Sequence, residues 1–225
     1  MKLKTLMVLL ASMSVTACAG QDQATEQDSA LQPDSRPMAK TLVYECAGAE
    51  FITRLGPGEM ALWFEDRYLV LSQVRSGSGT RYQEGYVSFW SYGDEALLYI
   101  DGVRYSDCRL NHARAPWEDA RRRGVEFRAV GNEPGWHLEV RGQKNLLFVG
   151  DYGAKRLLFE ELDTSEAEGM LHYRAEQGGN AIYVTVSETF CTDTMKGEQF
   201  PYTVLVQLNG AQYSGCGRAL DFPWN

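Results

Sequence analysis

Arg75 to Ala96 reads R-S-G-S-G-T-R-Y-Q-E-G-Y-V-S-F-W-S-Y-G-D-E-A, a small-residue loop running into an alternating aromatic segment that closes on Tyr92-Gly93-Asp94-Glu95. Tyr86, Ser88 and Trp90 alternate with Val87, Phe89 and Ser91. That period of two belongs to a strand in an antiparallel sheet with side chains packed on both faces. Gly77 and Gly79 flank Ser78, so the backbone can take positive φ there and hold a small hydroxyl at a loop tip.

The same pattern continues on both sides. Strand-like pieces run from Leu42 to Cys46, Phe51 to Arg54, Met60 to Phe64, Tyr68 to Val74, Tyr86 to Trp90, Ala96 to Ile100 and Val103 to Tyr105, with turns such as Gly56-Pro57-Gly58 and Asp101-Gly102 between them. Many short strands without a helical period predict a small antiparallel barrel or sandwich over residues 41–110. Residues 111–124 follow as a helical linker. Pro116 stands early in it, Glu118 and Asp119 fall in the first turn, Arg121 to Arg123 in the last, and Gly124 stops it, charges that complement the helix dipole at both ends. The arginine triplet is read as a solvated helix face, with an anionic partner as the alternative. From Val125 the strand pattern returns, with turn signals at Gly178-Gly179-Asn180 and Asn209-Gly210. Residues 125–225 are therefore expected to form a second antiparallel β domain, and the fold class is all-β.

The motif S-x-S-G-x-R-Y (Ser76 to Tyr82) followed by F-W-x-x-G-D-E-A (Phe89 to Ala96) resembles the family of membrane-bound lysozyme inhibitors of C-type lysozyme. The upstream Y-E-C at Tyr44 to Cys46 and the downstream Cys108 match that family's ends, so the likeness covers roughly Leu42 to Leu110. It implies a barrel of eight strands and a lysozyme-binding site built from Ser78, Gly77, Gly79, Arg81 and position 92. The serine would hydrogen-bond the enzyme's catalytic carboxylates, since a glycosidase cleft holds two carboxyl groups with one kept protonated, and a hydroxyl can donate to the ionised one and accept from the protonated one. The family typically carries a lysine fourteen positions after the serine, where this chain has Tyr92. A phenol brings no charge, and charge-assisted hydrogen bonds are the stronger kind. Arg81 is given the structural role of anchoring the loop to a carbonyl or to Asp94. The segments F-R-A-V-G-N-E-P-G-W and E-T-F-C-T-D-T-M-K-G resemble an uncharacterised family of bacterial lipoprotein domains, which implies no activity.

The leader agrees with an exported protein. Residues 1–17 carry Lys2 and Lys4, an apolar run and small residues before Cys18, the layout of a secretory signal. V-T-A-C looks like a bacterial lipobox, in which Cys18 is acylated and anchors the chain in a lipid bilayer; the alternative is an ordinary signal cleaved near Ala17 or Ala19. Ala19 stands where a retention Asp would sit, which favours an outer-membrane lipoprotein facing the periplasm of a Gram-negative envelope. Residues 18–40, rich in Gln, Asp, Ser and Pro, are expected to be a flexible tether.

With Cys18 assigned to lipid, Cys46, Cys108, Cys191 and Cys216 remain, an even set in an exported chain. Three pairings are open; Cys46 with Cys108 and Cys191 with Cys216 keep each bridge inside one expected domain. Neither spacing suits zinc and the three histidines are scattered, so no metal or cofactor is expected.

The chain holds 22 basic and 30 acidic residues. Removing the leader lowers the basic count to 20, a net charge of −10. Such a chain repels nucleic acid and steers toward basic partners, which fits C-type lysozyme or a similar muramidase. Catalysis is not expected: S-G-S-G-T lacks the spacing of a nucleophile elbow and residues 41–110 contain no histidine to act as base. Asn132, Glu133 and Trp136 form a cluster suited to a sugar or peptide, while Asp193, Lys196 and Glu198 resemble an acid–base group that turn capping and surface ion pairs explain more simply. The rival to a lysozyme inhibitor is a non-inhibitory envelope lipoprotein whose inhibitor fold has lost its target.

Overall fold

The computed structural model describes residues 40–221; the signal, the tether and Cys18 lie outside them. Eight antiparallel strands close into a barrel: β1 Lys40–Cys46, β2 Ala49–Gly56, β3 Glu59–Phe64, β4 Arg67–Val74, β5 Thr80–Glu84, β6 Val87–Tyr92, β7 Glu95–Ile100 and β8 Val103–Leu110. Inward positions alternate along each strand, and Tyr44, Phe51, Met60, Leu62, Leu71, Phe89, Leu98 and Ile100 fill the interior. The seam is short. β1 meets β8 through Tyr44↔Leu110 and Glu45↔Arg109, and the Cys46–Cys108 disulfide locks the next position. Strand β5 escapes a reading of hydrophobic period because Tyr82 is its only buried residue.

Helix α1 spans Ala115–Arg122, shorter than expected because Asn111 fixes the preceding turn: its side-chain oxygen accepts the N–H groups of Ala113 at 3.0 Å and Arg114 at 2.9 Å. The arginine triplet is not a solvated face. Arg122 is buried, reaches Glu118 at 2.7 Å and lies 3.7 Å over the Trp63 ring of the barrel, while Arg123 bonds Asp119 at 2.7 Å and Glu139 at 2.9 Å. The acidic first turn and the following sheet supply partners that the triplet read alone does not show. Arg114 also reaches Glu50, and the described residues fall in one compact unit.

The second body is an open sheet of nine antiparallel strands: β9 Phe127–Asn132, β10 Gly135–Arg141, β11 Asn145–Gly150, β12 Lys155–Phe159, β13 Asp163–Ala167, β14 Met170–Gln177, β15 Asn180–Ser187, β18 Tyr202–Leu208 and β19 Ala211–Ala219. In space they run β12-β11-β10-β9-β19-β18-β15-β14-β13. The short pair β16 Cys191–Thr192 and β17 Gln199–Phe200 is tied to β19 by the Cys191–Cys216 disulfide. Strand β13, D-T-S-E-A, is exposed throughout and carries no apolar period to betray it. β19 carries Gly215 and Gly217 within it; a Cβ at either would press into Trp136 or Phe127, so the glycines make room for the core rings.

Candidate functional site

Hairpin connections alternate between the two ends of an up-and-down barrel, so the β4–β5 loop holding Ser78 and the β6–β7 turn at Gly93-Asp94 share one rim. Three contacts fix the loop. The Trp90 indole N–H donates to the Ser78 carbonyl at 2.9 Å, the Ser76 hydroxyl donates to the same oxygen at 2.5 Å, and Gly79 (φ +65°) packs so closely that a Cβ would collide with the Ser91 carbonyl. Only Gly79 needs to be glycine; Gly77 has open space around it and no positive φ, so the expected left-handed conformation holds for one of the two. The Ser78 side chain is left exposed at the tip.

Tyr92 is 63% exposed and its ring lies nearly parallel to that of Trp90, with centroids 6.3 Å apart. Trp90 thus joins the two parts of the rim, gripping the serine loop by its nitrogen and backing Tyr92 by its face. Arg81 stands opposite Trp90 in register. It does not hold Asp94, whose carboxylate meets His112 Nε2 at 2.9 Å just beyond β8; chain closure brings that histidine where sequence distance hides it. Beneath the turn, the buried Tyr44 hydroxyl bonds Ser91, and its pKa is raised by burial, with the Asp94 charge adding to the effect. Trp90, Ser91 and Tyr44 therefore support the same rim, although sequence reasoning marks only the loop and position 92. The aromatic pair F-W in the motif was the available signal.

The second body's candidates come together, but not as a catalytic pair. Asp193 Oδ1 accepts from Asn132 Nδ2 at 3.0 Å and from the N–H groups of Met195 at 2.8 Å and Lys196 at 3.0 Å. Burial pushes its carboxyl up, and those hydrogen bonds outweigh it and hold the pKa low. Glu198 is engaged by Arg218 at 2.5 Å. Trp136 lies in the core, stacked on Phe148 at 6.0 Å. Glu139, 3% exposed, sits between Arg123 and Arg128; burial raises its pKa less than the Arg123 hydrogen bond and the two guanidinium charges lower it, so it stays ionised. Among the described residues no group of three or more His, Cys, Asp or Glu side chains could hold a metal ion.

A closed eight-stranded antiparallel barrel with an exposed serine loop at its rim defines the fold class, and comparison gives the family. The family described as membrane-bound lysozyme inhibitor of C-type lysozyme matches residues 44–107. The chain is 30% identical over 115 residues to the protein of that name from Escherichia coli, covering 50% of this chain and 97% of the relative. It is 34% identical over 110 residues to the one from Pseudomonas aeruginosa, covering 44% and 87%. A third, from Yersinia enterocolitica, is 33% identical over 78 residues, covering 33% and 67%. No solved structure matches the chain significantly. Through its barrel, the chain belongs to the family of membrane-bound lysozyme inhibitors of C-type lysozyme.

Proposed function

We propose that this protein is a lipid-anchored inhibitor of C-type lysozyme, and that residues 41–110 carry the inhibition by inserting the Ser78 loop into the enzyme's cleft. The observation that carries the reading is the preset loop. With the Ser78 carbonyl already held by Trp90 and Ser76, little conformational entropy is left to lose on binding, which favours affinity. The free hydroxyl blocks a pair of carboxylates by hydrogen bonding, without reacting. A net charge of −10 once the leader is removed suits a basic enzyme. Gly79 sets the loop's path, and Arg81 and Tyr92 border it. Anchoring through Cys18, at an outer membrane and facing the periplasm, fits the leader and the membrane-bound relatives; among the described residues no helix is long and apolar enough to cross a membrane. Residues 111–124 would then link the inhibitor to a second domain at 125–225 with a separate task.

A second reading, an envelope lipoprotein that no longer inhibits, is favoured by Tyr92 alone, because it removes the cation. Inhibition of a C-type lysozyme by the purified chain decides between them. The wild type should inhibit, and Ser78→Trp and Gly79→Ala should both lose inhibition, the first with an unchanged melting temperature. Inhibition retained in Ser78→Trp overturns the loop as the contact; no inhibition by the wild type overturns the function.

A further inference from the structure

We propose that the second body binds a neutral saccharide in a hollow on the outer face of β14, β15 and β18, which the small side chain of Ala181 leaves open. The hollow has a volume of about 390 Å³, within the range of small-molecule sites.

The strand register builds it. Ala175, Ile182, Val206 and Leu208 are buried, so their neighbours Arg174, Glu176, Ala181, Tyr183 and Gln207 turn to the outer face, since side chains alternate along a strand. Packing of Tyr213 against the core does the same for Gln212. Across the sheet Arg174, Tyr183, Gln207 and Gln212 stand opposite one another in one row. In the next row Ala181 lies between Glu176, its partner in register, and Asn209, to which its backbone is tied twice: the Ala181 N–H donates to Asn209 Oδ1 at 2.8 Å and the Asn209 N–H donates to the Ala181 carbonyl at 3.0 Å. A single methyl therefore stands among long side chains. Tyr183 widens the gap, because its hydroxyl meets His172 Nδ1 at 2.9 Å and its ring stacks on that imidazole with centroids 5.6 Å apart, in the row on the far side from Ala181.

The chemistry of the walls selects the occupant. Arg174 and Glu176 pair at 3.1 Å, so the site carries no net charge and favours neither an anion nor a cation. That pair leaves a second carboxylate oxygen and further guanidinium N–H groups to spare. The Gln207 and Gln212 amides, on the same wall, take no partner among the described residues. Acceptors and donors thus alternate around one hollow, an arrangement that fits hydroxyl groups, which donate and accept at the same atom. Water would satisfy the polar walls alone; the Tyr183 ring, 39% exposed and lining the hollow, adds an electron-rich face for the C–H side of a pyranose. An acyl chain or an apolar peptide gains little there, since Ala175 and Ile182 are buried beneath and the Ala181 methyl is the only exposed aliphatic group of the lining.

The test uses the whole protein labelled with nitrogen-15 and follows the side-chain amide resonances of Gln207 and Gln212, assigned with Gln207→Glu and Gln212→Glu. Chitotriose and cellotriose are titrated as saccharides with and without acetamido groups, and an alanine tripeptide and sodium acetate serve as hydroxyl-free controls. A saccharide should shift both amide resonances with a dissociation constant of about 1 mM, as befits an open site. Response to chitotriose alone assigns an N-acetylated glycan, and response to both a glycan recognised through its ring hydroxyls. Ala181→Leu fills the hollow at an exposed strand position and should abolish the shifts, while Tyr183→Ala, which keeps the hollow but removes the ring, should weaken binding about tenfold. No shift with either saccharide, an equal shift with the tripeptide or acetate, or undiminished binding by either variant overturns the proposal.

Discussion

The barrel and the open sheet solve the same problem of a β fold in opposite ways. The barrel pairs β1 with β8 and, among the described residues, buries no charged side chain. A closed sheet has no edge to cover, so what it offers a partner must come from rim loops such as that of Ser78. The nine-stranded sheet leaves β12 and β13 as edges and covers part of its outer face with α1 and the disulfide-tied loop. Covering that face buries Glu118, Arg128 and Glu139 and leaves a cavity beneath the cover. Closure by backbone leaves the rim loops free, whereas closure by added elements leaves a cavity and depends on ion pairs to do it.

The change expected to strain this contrast most is Glu139→Ala. It leaves Arg123 and Arg128 buried without their shared carboxylate, and breaking such an arrangement costs about 3 to 5 kcal/mol. Hydrogen-exchange mass spectrometry should show loss of protection in β9, β10 and α1 while the barrel peptides keep theirs. If barrel peptides open equally, the Arg122–Trp63 and Arg114–Glu50 contacts make the two bodies one cooperative unit and the comparison fails. Removing the barrel bridge by Cys46→Ser with Cys108→Ser tests the other side. A closed loop of 62 residues corresponds to about 4 kcal/mol in the chain-entropy account, and exchange should rise first at β1 and β8, where two residue pairs carry the seam.

The barrel was the more legible half because its aromatic alternation reports burial directly: Phe89 and Val87 point in and Trp90 points out, as their period requires. The disulfides followed from the same boundaries. What stayed hidden was set by tertiary partners. Nothing local says that Trp90 will reach back twelve positions to the Ser78 carbonyl, or that His112 will take Asp94 instead of Arg81. The Arg121–Arg123 run looks like solvent-facing charge until Glu139, sixteen residues after Arg123, arrives from β10. Asp193, by contrast, is the turn cap its loop suggests, accepting the N–H groups of Met195 and Lys196.

A smaller effect separates the bodies by pH. His137 has its pKa lowered from 6.5 to about 4 by burial, then by Arg128, with Arg156 and Arg123 adding and Glu139 opposing. Between those values the unfolded chain binds the proton and the folded chain does not, so stability falls as pH drops from 6.5 to 4. The shift would correspond to about 3 kcal/mol undiminished, and solvent screening at this half-buried ring reduces it to about 1 to 2 kcal/mol. His137→Gln should flatten the loss between pH 6.5 and 4.5, measured as the melting transition of the sheet. A barrel transition with the same slope would show that the titrating group lies elsewhere, since residues 41–110 hold no histidine.

The mildest expected change is at Tyr92 and bears on recognition alone. Lysine there would restore a cation at the rim, and a charge-assisted hydrogen bond to a cleft carboxylate is worth about 1.5 kcal/mol, roughly tenfold in affinity. Against this stands the ring Tyr92 lays on Trp90, whose loss loosens the residue that holds the Ser78 carbonyl; because Tyr92 is 63% exposed, the packing lost is small and the cation should win. Titration calorimetry against a C-type lysozyme should show Tyr92→Lys binding more tightly than the wild type and with a steeper loss of affinity on adding salt. In a Ser78→Trp background the same substitution should give no gain, since the blocked loop keeps the rim from the cleft. A Tyr92→Lys protein that binds no better would mean that the phenol itself makes the contact, and that this barrel recognises its enzyme by hydrogen bonding from both halves of the rim.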